Sequence, residues 1–280
     1  MPVLNESKAC EFFEMAIAHC KPEVNPSDYT KDGILYCGKC NTPKECIQVH
    51  FGKEYRLPIM CRCKADEVQR EKKEKRIAEL ERRRKIAMPC PAYRDMTFEN
   101  SDEKLTIAEN YVANWNDMMR DNVGLLFFGN PGSGKTYMAA SIANALLMKG
   151  VPVYMDNMAQ LISMMGDNYD GGRDKCLYKI GKCDLLVIDD FGIERSTDFA
   201  LQCAYDLIDA RIRTEKPMIV TTNLDIAALK NPPDMRFSRI YSRLASIHPV
   251  AVQGDDKRKQ QTNERFKAIN RLLKGDGNGK

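Results

Sequence analysis

The sequence predicts an α/β protein: a parallel sheet between helices, preceded by a small metal-ligating module and a charged helix. Three observations predict it. A glycine-rich loop, Gly129-Asn130-Pro131-Gly132-Ser133-Gly134-Lys135-Thr136, separates an apolar run from a helix-forming run. A second apolar run, Leu185-Leu186-Val187-Ile188, ends in Asp189-Asp190. Upstream of both, four cysteines stand as two close pairs, Cys37/Cys40 and Cys61/Cys63. Strand-like runs alternating with helical ones imply a parallel sheet covered on both faces.

Composition sets the outer bounds. The chain has 280 residues, 43% of them hydrophobic, enough for at least one sizeable core. Its longest apolar runs, such as 124–128 and 185–188, are strand-length, far below the roughly 20 residues of a membrane helix, so no membrane partner is expected. The start, MPVLNESKACEFF, lacks a basic stretch followed by an apolar one, so no secretory signal and a cytoplasmic localisation are expected. In a reducing compartment eleven cysteines read as metal ligands or packing residues rather than as a disulfide framework.

The net charge of +4 is local. Residues 1–90 hold 18 Lys/Arg against 14 Asp/Glu, leaving 25 against 25 for residues 91–280. The stretch 64–85 alone holds ten basic and six acidic residues. Met88-Pro89-Cys90-Pro91 then interrupts any helix. The expected organisation is a metal- and partner-binding module at 1–63, a charged helical linker at 64–90, a nucleotide-binding core at 91–260 and a tail at 261–280.

In the module, Cys37-Gly-Lys-Cys40 and Cys61-Arg-Cys63 are separated by twenty residues. Two short turns, each aiming two thiolates at one ion, suit tetrahedral zinc, and Tyr36, Ile47, Val49, Phe51 and Tyr55 supply short strands between them. The second pair is C-x-C rather than C-x-x-C, which leaves Cys46 or His50 as substitutes for one ligand. Cys10, Cys20, Cys90, Cys176, Cys183 and Cys203 show no partner spacing. The linker that follows has good helix formers and no Gly or Pro over 64–86, with apolar residues too sparse for a buried stripe. It reads as a solvated connecting helix, with a phosphate contact through Arg82, Arg83, Arg84 and Lys85 as the alternative.

The glycine-rich loop fits G-x-x-x-x-G-K-[ST] completely. Glycines let backbone N–H groups close round phosphates, and the amino terminus of the next helix adds positive potential. Lys135 is expected at the β- and γ-phosphates, and the Thr136 hydroxyl on Mg²⁺. The run 123–128 before the loop reads as a buried strand, and 137–148 after it as a helix. The strand 185–188 delivers Asp189 to hold Mg²⁺ and Asp190 to orient the attacking water. Between and beyond these, 151–155 reads as a strand, 159–165 as a helix, 199–213 as a longer helix and 217–222 as a strand. That last strand ends at Asn223, a candidate sensor of the γ-phosphate. The turn-rich segment 166–172, GDNYDGG, is expected to be a mobile loop able to face DNA in an oligomer.

With these pieces placed, the chain resembles the DnaC/DnaI-type replicative helicase loaders of the AAA+ ATPases, particularly phage and prophage versions. The matching segments are MTFEN at 96–100, GNPGSGKT at 129–136, IANALLMKGVPVYM at 142–155, LLVIDDFGIER at 185–195, TTNL at 221–224, FSRIYSRL at 237–244 and GDDKRK at 254–259. The resemblance covers about 91–260, and the cysteine knuckles with their charged helix look like the front end of many phage members. It implies an AAA+ P-loop ATPase core without a carboxyl-terminal lid, ATP as ligand, weak hydrolysis, and self-association through the core. It further implies a hexameric replicative helicase as partner of the amino-terminal region, and single-stranded DNA as the substrate surface. By resemblance Arg243 is an arginine finger acting on a neighbouring subunit's nucleotide, Arg239 supports that interface, and Arg258 is a second nucleotide-sensing arginine. Where many AAA+ proteins have Asp-Glu, this chain has Asp189-Asp190, which points to slow hydrolysis used as a switch.

The expected function is therefore an ATP-dependent replication factor that binds the helicase and loads it onto single-stranded DNA. A transposase-helper ATPase related to IstB shares almost the same core; the cysteine knuckles favour the loader. A zinc-stabilised DNA-binding module with a regulatory ATP site is the alternative from a different class. A metabolic kinase is disfavoured, because no acceptor-binding region is evident.

Overall fold

A computed structural model describes residues 21–50, 52–101, 103–167, 171–192, 197–230, 235–254, 266 and 269–270. The chain divides into two compact units, residues 1–79 and 80–280.

The first unit is built on two small antiparallel pairs. β1 (Tyr29–Lys31) pairs with β2 (Ile34–Tyr36), and β3 (Glu45–His50) with β4 (Lys53–Pro58). Of the residues expected to supply strands, Tyr36, Ile47, Val49 and Tyr55 lie in them, and Phe51 lies outside the described residues. Its described residues form almost no apolar core. Among the described residues of 21–63, the buried side chains are Cys37, Cys61 and Lys44. Lys44 is held by Asp28 at 2.7 Å, and Asp28 also accepts the backbone N–H groups of Asn25 and Gly38. Those bonds, the Asn25 N–H first and the lysine second, hold the Asp28 carboxyl down to about 2.

α1 (Arg62–Ala87) is the expected charged helix, longer at its start than the reading of 64–86. It begins inside the second cysteine pair and runs from the first unit into the second. Its solvated character holds until its last turn, where Ala87 is buried and Arg84 turns inward, so Arg84 is not a free phosphate contact.

The second unit is a five-stranded parallel sheet with helices on both faces. In chain order the elements are α2 (Pro91–Arg94), α3 (Thr106–Ala113), α4 (Trp115–Arg120), β5 (Leu125–Phe128), α5 (Lys135–Met148), β6 (Val153–Asn157) and α6 (Met158–Gly166). There follow α7 (Gly172–Lys182), β7 (Leu185–Phe191), α8 (Asp198–Ile212), β8 (Met218–Thr222), α9 (Ile226–Lys230), α10 (Met235–Leu244) and β9 (His248–Ala251). The strand order is β6-β7-β8-β5-β9. β8 therefore lies between the strand feeding the glycine-rich loop and the strand carrying the acid pair. Since all strands are parallel, their carboxyl ends share one edge of the sheet, where ligands bind in open α/β folds.

Alternation along the strands builds two cores. Leu125, Phe127, Leu185, Val187 and Ile219 pack with α5 and the helices before β5. Leu126, Leu186, Ile188 and Val220 pack with α6, α7, α8 and α10. Burial on both faces explains why these strands read as unbroken apolar runs. Several elements had no reading in the sequence, α7 and β9 among them. α7 opens on glycine, is rich in lysine, and buries only Gly172, Cys176 and Ile180. β9 is four residues long with Pro249 inside it, which an edge strand tolerates. Of the loop expected at 166–172, Gly166 closes α6, Gly172 opens α7, and residues 168–170 lie outside the described residues.

One buried cation ties the second core together. The Arg211 guanidinium, wholly buried on α8, donates to the carbonyls of Ile180 (2.9 Å), Cys183 (2.8 Å), Asp184 (2.7 Å) and Pro217 (2.5 Å). It thus joins the end of α7 and the starts of β7 and β8. Arg211→Met strands these acceptors in an apolar interior and is expected to cost about 3–5 kcal/mol. Denaturant unfolding of the second unit reads this as a large fall in midpoint; an unchanged midpoint contradicts the assignment. Among the described residues, no helix is long and apolar enough to cross a membrane.

Candidate nucleotide site and metal centre

β5 ends at Phe128 and the chain turns through residues 129–134 into α5. Gly129 passes so close to the strand-edge backbone that a Cβ there would sit 2.3 Å from the Val252 carbonyl oxygen, and Gly134 caps α5 with φ 96°. Neither position accepts another residue without moving the loop. Lys135, the first residue of α5, is buried and folds its ammonium back onto the carbonyls of Gly129 (2.9 Å) and Asn130 (2.8 Å). The lysine thus spans the loop. Ser133 Oγ is buried without a hydrogen-bond partner, a polar atom left for a ligand to satisfy. Glycines, helix terminus, lysine and orphaned hydroxyl together fit a polyphosphate.

Asp189 is the centre of the site. It is only 2% exposed, and three hydroxyls donate to it. Thr136 Oγ1 (2.9 Å) and Thr221 Oγ1 (2.6 Å) bond Oδ1, and the Tyr93 phenol (3.0 Å) bonds Oδ2. The structure thus sets Thr136 and Asp189, a hydroxyl and a carboxylate of the kind that suits a nucleotide-bound magnesium ion, at the start of the helix whose Lys135 spans the loop. Asp190 follows in a β-bulge: Ile188 pairs with Val220 and Phe191 with Thr222, so β7 carries one residue more than β8. That bulge holds Asp190 at φ 53°, with its N–H bonded to Thr221 Oγ1 at 2.9 Å. A non-glycine residue costs on the order of 1–3 kcal/mol in such a conformation, and bulges beside sites re-aim side chains. Asn223 is exposed immediately after β8, at the same edge of the sheet.

A cavity of about 400 Å³ adjoins the loop, walled by Ser101, Leu105, Thr106, Tyr137, Met138 and Gln253 beside Ser133 and Gly134. Its size suits a nucleoside. The sequence reading did not find this wall, nor Thr221 and Tyr93; the Thr221-Thr222 pair is the one local signal, since hydroxyls at the end of a buried strand need partners.

The arginine pair stands elsewhere in the chain. Arg243, in α10, pairs with the Asp209 carboxylate of α8 and lies over the Tyr205 ring at 4.6 Å. Arg239, four residues earlier, is exposed. Arg258 lies outside the described residues.

In the first unit, the sulfur atoms of Cys37, Cys40, Cys61 and Cys63 all lie within 4.8 Å of one another. Cys63 Sγ is 3.6 Å from Cys37 Sγ and 3.5 Å from Cys61 Sγ. A tetrahedral zinc with bonds of about 2.3 Å needs sulfurs about 3.8 Å apart, whereas a disulfide needs about 2.05 Å. The donor set and its spacing fit the metal. The first pair sits on a turn where a Cβ on residue 38 would fall 1.9 Å from the Ser27 carbonyl oxygen, so only Gly38 serves. The second pair opens α1, where Lys64 and Ala65 N–H bond the Cys61 carbonyl and the helix terminus favours thiolate. Bonds from the Thr42 hydroxyl and then the Cys63 backbone hold Cys40 down to about 5. The thiols of Cys61, Cys37 and Cys40 push Cys63 up to about 12. Such crowding of sulfur is relieved by a cation. Neither alternative ligand joins the group: His50 faces Gln48 at 3.1 Å, and Cys46 lies opposite Leu57 in the hairpin.

Sheet order, phosphate loop and acid pair define a P-loop ATPase core of the AAA+ type. A family model for the IstB-like ATP binding protein matches residues 60–265, and the chain belongs to that family. It is 29% identical to the uncharacterized protein YdaV of Escherichia coli (strain K12) over 175 residues, 60% of this chain and 68% of YdaV. It is 27% identical to the replicative helicase loader DnaC of the same strain over 143 residues, 48% of this chain and 57% of DnaC. The match therefore spans little more than half of DnaC's length. Among solved structures, the DnaC helicase loader aligns at TM-score 0.49 and 25% identity, over 59% of this chain and 100% of that one. DnaI aligns at 0.49 and 22%, over 59% and 94%.

Proposed function

We propose that the protein is a cytoplasmic, ATP-dependent replication factor that binds a hexameric replicative helicase and loads it onto single-stranded DNA. The observation that carries the nucleotide part is the contact of Thr136 with Asp189 at the mouth of a loop spanned by Lys135. The similarity to DnaC supports the loading part.

In this reading the loop N–H groups and Lys135 bind the phosphates, and Thr136 with Asp189 holds magnesium. When bound, the ion neutralises charge on the phosphates as the terminal group leaves. Asp190, set by its bulge, orients water; Asn223 reads the terminal phosphate. Arg258 and the rest of the loop contact the same nucleotide. The module at 1–63, carrying zinc on Cys37, Cys40, Cys61 and Cys63, engages the helicase, with 64–90 as linker, 91–260 as ATPase domain and 261–280 as tail.

Arg243 and Arg239 act in trans, which makes efficient hydrolysis a property of the oligomer. To reach a neighbour's nucleotide Arg243 must leave Asp209 and Tyr205, so assembly competes with an intrachain pair. Arg243→Ala is accordingly expected to retain nucleotide binding and lose about 100-fold or more of turnover. Mixing it with a loop-defective chain restores part of that turnover, since each supplies what the other lacks. No recovery on mixing contradicts action in trans.

The reading as a whole is tested by co-purification of the full chain with a replicative helicase, followed by helicase transfer to circular single-stranded DNA with and without ATP. ATP-dependent transfer is expected; a helicase that neither binds nor transfers contradicts it. The family match supports a second reading, a transposase-helper ATPase, under which a transposase takes the helicase's place as the retained partner.

A further inference from the structure

The junction after the charged helix reaches the centre of the nucleotide site. Ala87 and Met88 are buried, and Pro91 starts α2, whose one buried residue is Tyr93. The Tyr93 phenol points at Asp189 and donates to Oδ2, while the two threonines both bond Oδ1. A carboxylate held at one oxygen still rotates; a donor on the other fixes its plane.

The backbone of Tyr93 is fixed in turn. Its carbonyl accepts from Asn144 Nδ2 at 2.8 Å, as does the Met96 carbonyl at 2.8 Å. Asn144 lies on α5, the helix whose first turn holds Thr136. Its Oδ1 accepts from the Arg84 guanidinium at 3.1 Å, and the same Arg84 nitrogen bonds the Arg94 carbonyl. Arg84 is in the last turn of α1. A continuous polar chain thus runs Arg84–Asn144–Tyr93–Asp189 through a buried layer.

We propose that Tyr93 is a positioning residue for the Asp189 carboxylate, and that through Asn144 and Arg84 it ties the geometry of that carboxylate to the last turn of α1. This rests on the nucleotide reading above and deepens it. A partner that pulls on the charged helix thereby changes magnesium-nucleotide binding, and bound nucleotide stiffens the end of the helix in return, as reciprocity of coupling requires.

The test compares the full-length wild type with Tyr93→Phe, Arg84→Met and the double variant. A fluorescent ATP analogue is titrated onto each protein over a range of Mg²⁺ concentrations and again in EDTA. Removing an outer-shell partner of a metal-holding carboxylate costs about 10–100-fold in metal affinity. Tyr93→Phe should therefore raise the Mg²⁺ concentration for half-saturation about tenfold or more, leaving affinity in EDTA unchanged. A tyrosine that only fills space moves neither quantity. Arg84→Met, remote from the ligand, should shift the Mg²⁺ dependence the same way by a smaller factor. It also reads the link should Tyr93→Phe lower stability. In the double variant the shift should be no larger than for Tyr93→Phe alone.

An unchanged Mg²⁺ dependence in Tyr93→Phe overturns the positioning role, and independent, multiplying shifts in the double variant overturn the link through Asn144. A wild type that binds no analogue even with Mg²⁺ is a different failure: it overturns the nucleotide reading itself.

Discussion

Lys135→Ala is expected to abolish ATP turnover, by about 100-fold or more, while leaving the fold of the second unit intact. The size of the effect follows from where the lysine sits. Its ammonium is buried and bonds two carbonyls of the loop, so it closes a ring with the loop backbone. Within that ring it is the cation built to face a polyphosphate. Alanine leaves the loop its glycines and helix terminus, so weak nucleotide binding survives, but charge that develops during transfer goes unmet. The change also removes a charge that costs energy to bury, so the melting temperature should hold or rise slightly. Steady-state hydrolysis with thermal denaturation on the same sample separates these outcomes. Turnover within a few-fold of wild type contradicts the assignment of the loop.

Stripping the metal, or Cys61→Ser, is expected to unfold the first unit. Its described residues offer no apolar core: Cys37, Cys61 and Lys44 are the buried side chains, and strands of three to six residues cannot hold themselves together in water. Apparent binding energies of structural zinc, roughly 10–16 kcal/mol in finger peptides, are large enough to supply the missing stability. The Cys61 carbonyl receives the first N–H groups of α1, so releasing its sulfur from the ion frees the residue that anchors that helix and should fray its start. Hydrogen exchange read over residues 29–58 should show protection lost on chelation, while residues 125–222 remain protected. Metal analysis should give one zinc per chain. Protection unchanged by chelation, or well under one ion per chain, contradicts the centre.

Much of this was legible in the sequence because it is locally encoded. The glycine-rich loop, the acid pair ending an apolar strand and the two cysteine pairs each occupy a few adjacent residues whose spacing is fixed by one turn or one strand end. Contacts that join distant segments were not legible. Tyr93 and Asp189 are 96 residues apart, and nothing near Tyr93 marks it as more than one aromatic after a proline. Thr221 reads as a β-branched strand former, and its hydroxyl's partner appears only when β8 inserts between β5 and β7. Arg84 looked like its neighbours in a basic run until the helix end was seen to enter the core. α7 and β9 escaped for a different reason: one is a polar helix packed on few side chains, the other a short edge strand with a proline, and both are set by tertiary packing rather than propensity.

Charge limits how the core could meet DNA in the proposed role. Residues 91–280 carry equal numbers of acidic and basic side chains, so attraction to a strand has to come from a local surface rather than from net charge.

The central claim is that nucleotide chemistry in this protein serves as a switch answering to DNA and a helicase. The most direct test is ATP hydrolysis by the full chain alone, with single-stranded DNA, and with single-stranded DNA plus a hexameric replicative helicase. The account predicts slow turnover by the protein alone, a several-fold rise with DNA, and loss of both in Lys135→Ala. Fast turnover indifferent to DNA and helicase, or none under any of the three conditions, contradicts it.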